Sequence, residues 1–237
     1  MGNLTDTEKR VINYININSS KLSNMSIVEV AEESYTSPAT VSRTIKKCGI
    51  GGFTELRYRI SVQNNEKLDF APINEILEKS LKEATNTVEE ISIDNVLKSV
   101  DLIRKSRKIY VIARGLTELV SQEYSLKLQL LGFNVFVISD PNIMKKASSE
   151  MKPDELLFIF SLYGKTEELI VSAENAASLG CKIISCCCSQ DTPLRMLSTV
   201  FLKGYKSENI SIKKYEVTSR LPLYIISRII IDYLAKY

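Results

Sequence analysis

Three short stretches of this 237-residue chain carry side chains able to recognise charge. Ala113-Arg114-Gly115-Leu116-Thr117 and Ser161-Leu162-Tyr163-Gly164-Lys165-Thr166 each place a glycine, a hydroxyl and a cation where an apolar run gives way to a helical pattern. Free backbone N–H groups and the helix dipole at such a start favour an anion, and Arg114 and Lys165 would strengthen binding of a phosphate. The same turns have an ordinary explanation, because strand-to-helix loops use Gly and capping Thr whether or not anything binds. Their coincidence at one end of one sheet favours a binding role, since ligands of open α/β sheets sit outside the carboxyl ends of the strands. Thr192-Pro193-Leu194 is a further helix start of this kind, which capping alone explains.

The third stretch, Ser37 to Lys47, has the chemistry of a DNA-reading helix. Ser37-Pro38 sets a capping side chain before a proline whose missing N–H costs nothing at the first helical position. Between Ser34 and Thr54 stand Arg43, Lys46 and Lys47 and no acidic residue, a local positive field in a chain of net charge +3. Ser37, Thr40, Ser42, Arg43, Lys46 and Lys47 form the candidate contact set. In the usual docking the start of such a helix meets base edges, while Lys and hydroxyl groups hold phosphates. Arg43 fits a guanine contact and a phosphate contact alike. A three-helix packing unit with its polar face in water has a similar shape. Caps, turn, basic charge and N-terminal position together favour double-stranded DNA.

Other chemistries are disfavoured. The chain has no histidine, which removes Ser-His-Asp and Cys-His machinery and the commonest general base near neutral pH. A sugar-phosphate isomerase would have to rest on carboxylates such as Glu167, Glu168 or Glu216, and no partner in the sequence marks any of them as tuned. Five cysteines with Cys186, Cys187 and Cys188 consecutive suit neither a secreted disulfide framework nor a zinc site. The triple cysteine reads as the buried end of a strand, with an exposed redox thiol as the alternative. Neither metal nor cofactor is expected. No run of about eighteen apolar residues occurs and the first residues are polar, so a cytoplasmic protein with no membrane partner is expected.

The elements that must position these residues follow from caps and periodicity. Thr5-Asp6-Thr7-Glu8 and Ser26-Ile27-Val28-Glu29 have the capping-box form. They open helices over Thr5 to Asn18 and from Ser26 to about Ser34. A tight connection at Tyr35-Thr36-Ser37 leads into a helix from Pro38 to Cys48, ended by Gly49. Ile27, Val30, Ala31, Val41 and Ile45 should face inward. Gly52 to Gln63 is helical again, and the polar, aperiodic Gln63 to Pro72 marks a domain boundary. Ile73 to Glu90 and Ile93 to Ser106 have helical spacing. From Lys108, apolar runs at Ile109–Ala113, Val135–Ile138, Leu156–Ser161, Lys182–Cys186 and Val200–Leu202 alternate with helical segments, the last from about Thr218 to Ala235. The expected fold is an all-α helix-turn-helix domain (1–72), linking helices (73–107) and an α/β domain (108–237) with a five-stranded parallel sheet covered by helices on both faces.

These residues resemble the MurR/RpiR family of regulators, which join an N-terminal helix-turn-helix to a sugar isomerase (SIS) domain. Ser37-Pro38-Ala39-Thr40-Val41-Ser42-Arg43 and Lys47-Cys48-Gly49-Ile50-Gly51-Gly52-Phe53-Thr54-Glu55-Leu56-Arg57 look like its recognition helix and following segment. Ser161 to Glu168 looks like its Ser-x-Ser-Gly-x-Thr sugar-phosphate loop, and Ser219-Arg220 resembles a later landmark. The resemblance implies a homodimer or tetramer on palindromic operators near genes of sugar metabolism, with a phosphosugar or related small anion as effector. It implies effector contacts from Ser161, Gly164 and Thr166, with Thr117 in the place of an earlier hydroxyl; Arg114, Gly115, Tyr163 and Lys165 complete the candidate set. Two departures stand out: Tyr163 replaces the loop's second serine and Ala113 the first glycine of the earlier turn. The tyrosine ring either fills the ligand's space or stacks on the ligand. An SIS domain used only for assembly is the remaining alternative.

Overall fold

The computed structural model describes residues 4–22, 24–63 and 71–237, in two compact units, Met1–Ser80 and Leu81–Tyr237. Most of the expected boundary segment, residues 64–70, lies outside the described residues.

In the first unit both capping boxes form and open α1 (Asp6–Ile17) and α3 (Ile27–Glu33). A single turn, α2 (Ser19–Leu22), lies between them, too short for a periodic signature. Ser37 caps α4 (Pro38–Lys47) through the Thr40 N–H, and α5 (Phe53–Gln63) follows. Val11, Ile15, Leu22, Val30, Ala31, Val41, Ile45, Leu56 and Ile60 form the core. Between α3 and α4, Tyr35 takes the left-handed φ of +53° that lets the chain reverse.

α6 (Ala71–Glu90) and α7 (Ile93–Lys105) lead to the sheet. Then come β1 (Lys108–Ile112), a 3-10 turn (Gly115–Thr117), α8 (Glu118–Leu130), β2 (Val135–Ile138), α9 (Pro141–Ser148) and β3 (Glu155–Ser161). α10 (Glu167–Ser178), β4 (Lys182–Cys187), α11 (Pro193–Leu197), β5 (Val200–Lys203), a hairpin of β6 (Ser211–Ile212) and β7 (Tyr215–Glu216), and α12 (Leu221–Lys236) complete the unit. The five-stranded sheet has the order β2-β1-β3-β4-β5, and every pair in it is parallel.

Both faces of the sheet are covered. Val111, Phe158 and Phe160 point to the side of α7, α8 and α12, while Leu157, Ile159 and Ile183 point to that of α9, α10 and α11. Every residue of β3 is buried, which suits a central parallel strand built almost wholly of apolar residues. Phe158 packs between Phe160 and Tyr124 of α8, with ring centroids 5.0 and 4.7 Å away. Among the described residues no helix is long and apolar enough to cross a membrane.

The expected strands and helices are present with small end shifts. α8 begins late because Gly115, at φ +59°, tightens the first turn into 3-10 geometry. α12 begins at Leu221 rather than Thr218, because the Thr218 hydroxyl bonds the Ile210 N–H and Tyr163 and so belongs to the hairpin. Phe158→Ala should cost the α/β unit about 3–5 kcal/mol in denaturant unfolding, and a loss under about 1 kcal/mol would show that the ring cluster does not secure this face.

Candidate functional site

The chain leaves β1 for β2 on one side and proceeds from β3 to β4 and β5 on the other, so the order reverses between β1 and β3. At such a reversal the loops at the carboxyl ends diverge to opposite faces and open a crevice. The register pairs Ile112 with Ile159, and two residues further on Arg114 and Ser161 come level. A cavity of about 670 Å³ lies there, lined by Arg114, Gly115 and Thr117 from the first turn and by Ser161, Tyr163 and Thr166 from the second. Glu216 and Arg220 complete its rim.

The turns are built for close backbone approach. The Gly164 N–H donates to Ser161 Oγ at 3.0 Å, at a φ of +67° that a side chain rarely adopts. A Cβ on Gly164 would stand 2.2 Å from Thr192 Oγ1, whose hydroxyl donates to the Gly164 carbonyl at 2.5 Å. Thr192 also caps α11 by accepting from the Leu194 N–H, so its role is structural as expected. Thr117 and Thr166 differ, because neither side chain caps the helix that it precedes. Capping therefore does not explain these two hydroxyls.

The cations at the rim are already paired. Arg114 donates through Nη1 to the Ser139 carbonyl at 2.7 Å and to Glu118 Oε1 at 3.4 Å. Arg220 spans Glu216, with Nη2 at 2.7 Å from Oε2 and Nη1 at 3.2 Å from Oε1, and its Nε is 3.4 Å from Thr117 Oγ1. Burial acts to raise the Glu216 carboxyl, but hydrogen bonds from Arg220 and Thr218 and the charge of Arg220 outweigh it and hold the group at about 2. Tyr163 lines the cavity, and its hydroxyl is engaged. That hydroxyl reaches Asn209 Oδ1 at 3.0 Å, Thr218 Oγ1 at 3.2 Å and Glu216 Oε1 at 3.3 Å.

Of the expected effector residues, the structure brings Arg114, Gly115, Thr117, Ser161, Tyr163 and Thr166 to this cavity. Gly164 shapes the loop from behind. Lys165 is exposed, 3.8 Å from Asp191, and lines a neighbouring cavity with Lys203 and Lys206. Sequence reading weighed Glu216 only as an isomerase carboxylate without a partner and left Arg220 as a landmark only; the signal available for their pairing was a spacing of four residues ahead of the last helix. Burial pushes the Cys186, Cys187 and Cys188 thiols up, Cys188 to about 12, which removes the redox-thiol alternative for them.

In the first unit, Ser37, Arg43 and Lys46 are exposed and Thr40 and Ser42 half-buried; Arg43 and Lys46 lie on the side of α4 opposite the buried Val41, Thr44 and Ile45, with Thr40 and Ser42 flanking it. Ser37 Oγ and Thr40 Oγ1 are 2.9 Å apart, and the Arg43 guanidinium folds back to Thr40 Oγ1 at 3.5 Å. Lys47 is engaged elsewhere, 2.5 Å from the buried Glu8 carboxylate. Lys47 first, then the Thr5 N–H, draws that carboxyl below its ordinary range. This pair ties α1 to the end of α4.

Two family patterns match the chain: the SIS domain over residues 102–226 and the helix-turn-helix domain of the rpiR family over residues 1–67. The chain belongs to the SIS-domain family, in the group that carries an rpiR-type helix-turn-helix ahead of that domain. An uncharacterized HTH-type transcriptional regulator of Clostridium perfringens (strain 13 / Type A) is 29% identical, with 92% of this chain and 83% of that protein covered. The Vibrio vulnificus NanR protein complexed with ManNAc-6P has a similar fold, with a TM-score of 0.63 at 20% identity over 98% of this chain and 87% of that one. The sugar isomerase domain of the Sphaerobacter thermophilus RpiR transcription factor gives a TM-score of 0.63 at 14% identity, over 70% and 90% of the respective chains.

A carboxylate held at about 2 against an ordinary 4.5 stabilises the fold above pH 4.5 and loses that contribution as pH falls from 4.5 towards 2. Glu216→Gln should therefore lower the stability of the α/β unit at pH 6 and match the wild type near pH 2. An equal difference at both pH values in thermal unfolding would show that the pair contributes nothing.

Proposed function

We propose that the protein is a DNA-binding transcriptional regulator of sugar metabolism genes, whose operator affinity is set by a phosphosugar in the crevice between β1 and β3. Residues 1–72 read the operator, 73–107 link, and 108–237 sense. The observation that carries the ligand half is that Thr166 and Thr117 stand at helix starts without capping them, beside Ser161, at the point of strand-order reversal. The ManNAc-6P complex of NanR supports a phosphosugar over other small anions. The DNA half rests on the rpiR-family match and on the exposed Ser37, Arg43 and Lys46 of α4, with Thr40 and Ser42 beside them. Lys47 serves α1 through Glu8 more than it serves DNA.

We take the crevice to bind without turnover. Glu216 is the carboxylate at its rim among the described residues; so long as it is paired with Arg220 and Thr218 it is held at about 2, well below a useful base, and the chain has no histidine to take its place. Assembly as a homodimer or tetramer is supported by Leu119, Leu126 and Leu130, exposed along α8. A two-fold assembly implies a palindromic operator, and regulation of genes places the protein in the cytoplasm.

Operator DNA titrated with and without a panel of hexose 6-phosphates tests this. At least one should change operator affinity, by the reciprocity of linked binding. Arg43→Ala should weaken operator binding by about 1–3 kcal/mol with the crevice unaffected. Unchanged operator affinity across the panel would contradict the effector half, and unchanged binding by Arg43→Ala the reading of α4.

A further inference from the structure

Arg220 and Glu216 deepen the reading of the crevice as a phosphosugar site, and the inference rests on that reading. The Arg220 side chain is 12% exposed and comes from the start of α12, a helix packed into the core through Leu223, Ile226 and Ile230. Its guanidinium is thus fixed at the rim. Its carboxylate partner is held far less firmly. Glu216 ends a hairpin of two-residue strands whose residues Ser211 to Glu216 are all exposed, with Lys213 and Lys214 at φ of +47° and +72°. Beyond Arg220, the Glu216 carboxylate accepts from its near neighbour Thr218, through both the N–H and the hydroxyl, and from Tyr163 Oη. An element with few buried contacts opens at low cost.

The pairing is a two-oxygen fork on a planar guanidinium, the geometry in which arginine also takes a phosphate. Arg114, the other arginine at the rim, likewise has a carboxylate four residues away, Glu118. An anionic ligand therefore meets no unpaired arginine at this rim and must compete for one. We infer that Arg220 is the anion anchor of the crevice and that Glu216 is a built-in competitor for it, so that the site admits phosphate monoesters and turns away sugar carboxylates. The physical reason is charge. A phosphate monoester brings about −1.5 to −2 at pH 7 and three acceptor oxygens, enough to displace one carboxylate. A sugar acid brings a single carboxylate, which gains nothing over Glu216 and lacks its tether. Tyr163 shares the arrangement: its hydroxyl on Glu216, Asn209 and Thr218 ties the phosphate-type loop to the hairpin that must give way.

The test is calorimetric titration of the full chain with glucose 6-phosphate, inorganic phosphate and gluconate, in the wild type, Glu216→Gln and Glu216→Gln/Arg220→Gln. The wild type should bind glucose 6-phosphate and phosphate but not gluconate. Glu216→Gln should tighten both phosphate ligands about ten-fold and admit gluconate, and the double variant should lose the gain. Hydrogen exchange in the wild type supplies a reading free of substitution: the Thr218 amide, bonded to Glu216 Oε1 at 2.7 Å, should exchange faster on addition of phosphate. Wild-type phosphate binding that Glu216→Gln leaves equal or weaker, or a Thr218 amide that slows, overturns the competitor role and leaves the crevice reading standing. If neither wild type nor Glu216→Gln binds a phosphate ligand, the crevice reading fails and this inference with it.

Discussion

The parallel pairing of β1 with β3 is the constraint on which the α/β half depends. Nothing local joins Arg114 to Ser161; they come level because Lys108 pairs with Glu155 and the register runs unbroken to Ile112 and Ile159. Parallel strands put both carboxyl ends on one edge of the sheet, and the reversal of strand order at this pair leaves the crevice uncovered. The apolar run of β3, packed on both faces, fixes the register, since a slip by one residue would turn Phe158 and Phe160 away from Tyr124.

Around that frame the protein keeps key charges in local pairs. Lys47 meets Glu8, Arg114 meets Glu118 and Arg220 meets Glu216. Pairing lets a largely buried guanidinium such as Arg220 persist without a large desolvation penalty. It also means that the recognition proposed for the crevice would be an exchange of partners rather than a filling of empty positive charge. At α4 the balance is different: Arg43 and Lys46 have no carboxylate among their described contacts, so their field reaches outward.

Much of this was legible in the sequence, because the signals were local. Capping boxes at Thr5 and Ser26, the Ser37-Pro38 start of α4 and the alternation of apolar runs with helices each follow from a few neighbouring residues, and each reappears within about three residues of its expected end. The six crevice residues supplied by the two turns were legible for the same reason. What escaped was set by distant partners. Lys47 reads as a candidate DNA contact, and its ion pair with Glu8, 39 residues away, is not visible locally. Lys165 belongs by sequence to the loop but turns towards Asp191. Tyr163 reads as a ring that fills the ligand's space or stacks on the ligand; the partners of its hydroxyl, Asn209, Glu216 and Thr218, lie between 46 and 55 residues on and were not visible locally. Two-residue strands such as β6 and β7 carry no periodicity, so the hairpin that brings Glu216 to the crevice had no signature of its own.

A crystal structure of the full chain grown with a hexose 6-phosphate tests the central claim most directly, by locating the phosphorus atom. The account places it at the carboxyl ends of β1 and β3, within hydrogen-bond reach of the Ser161–Thr166 turn. A phosphate seated instead against Lys165, Lys203 and Lys206 in the neighbouring cavity, or bound nowhere in the α/β unit, would contradict it.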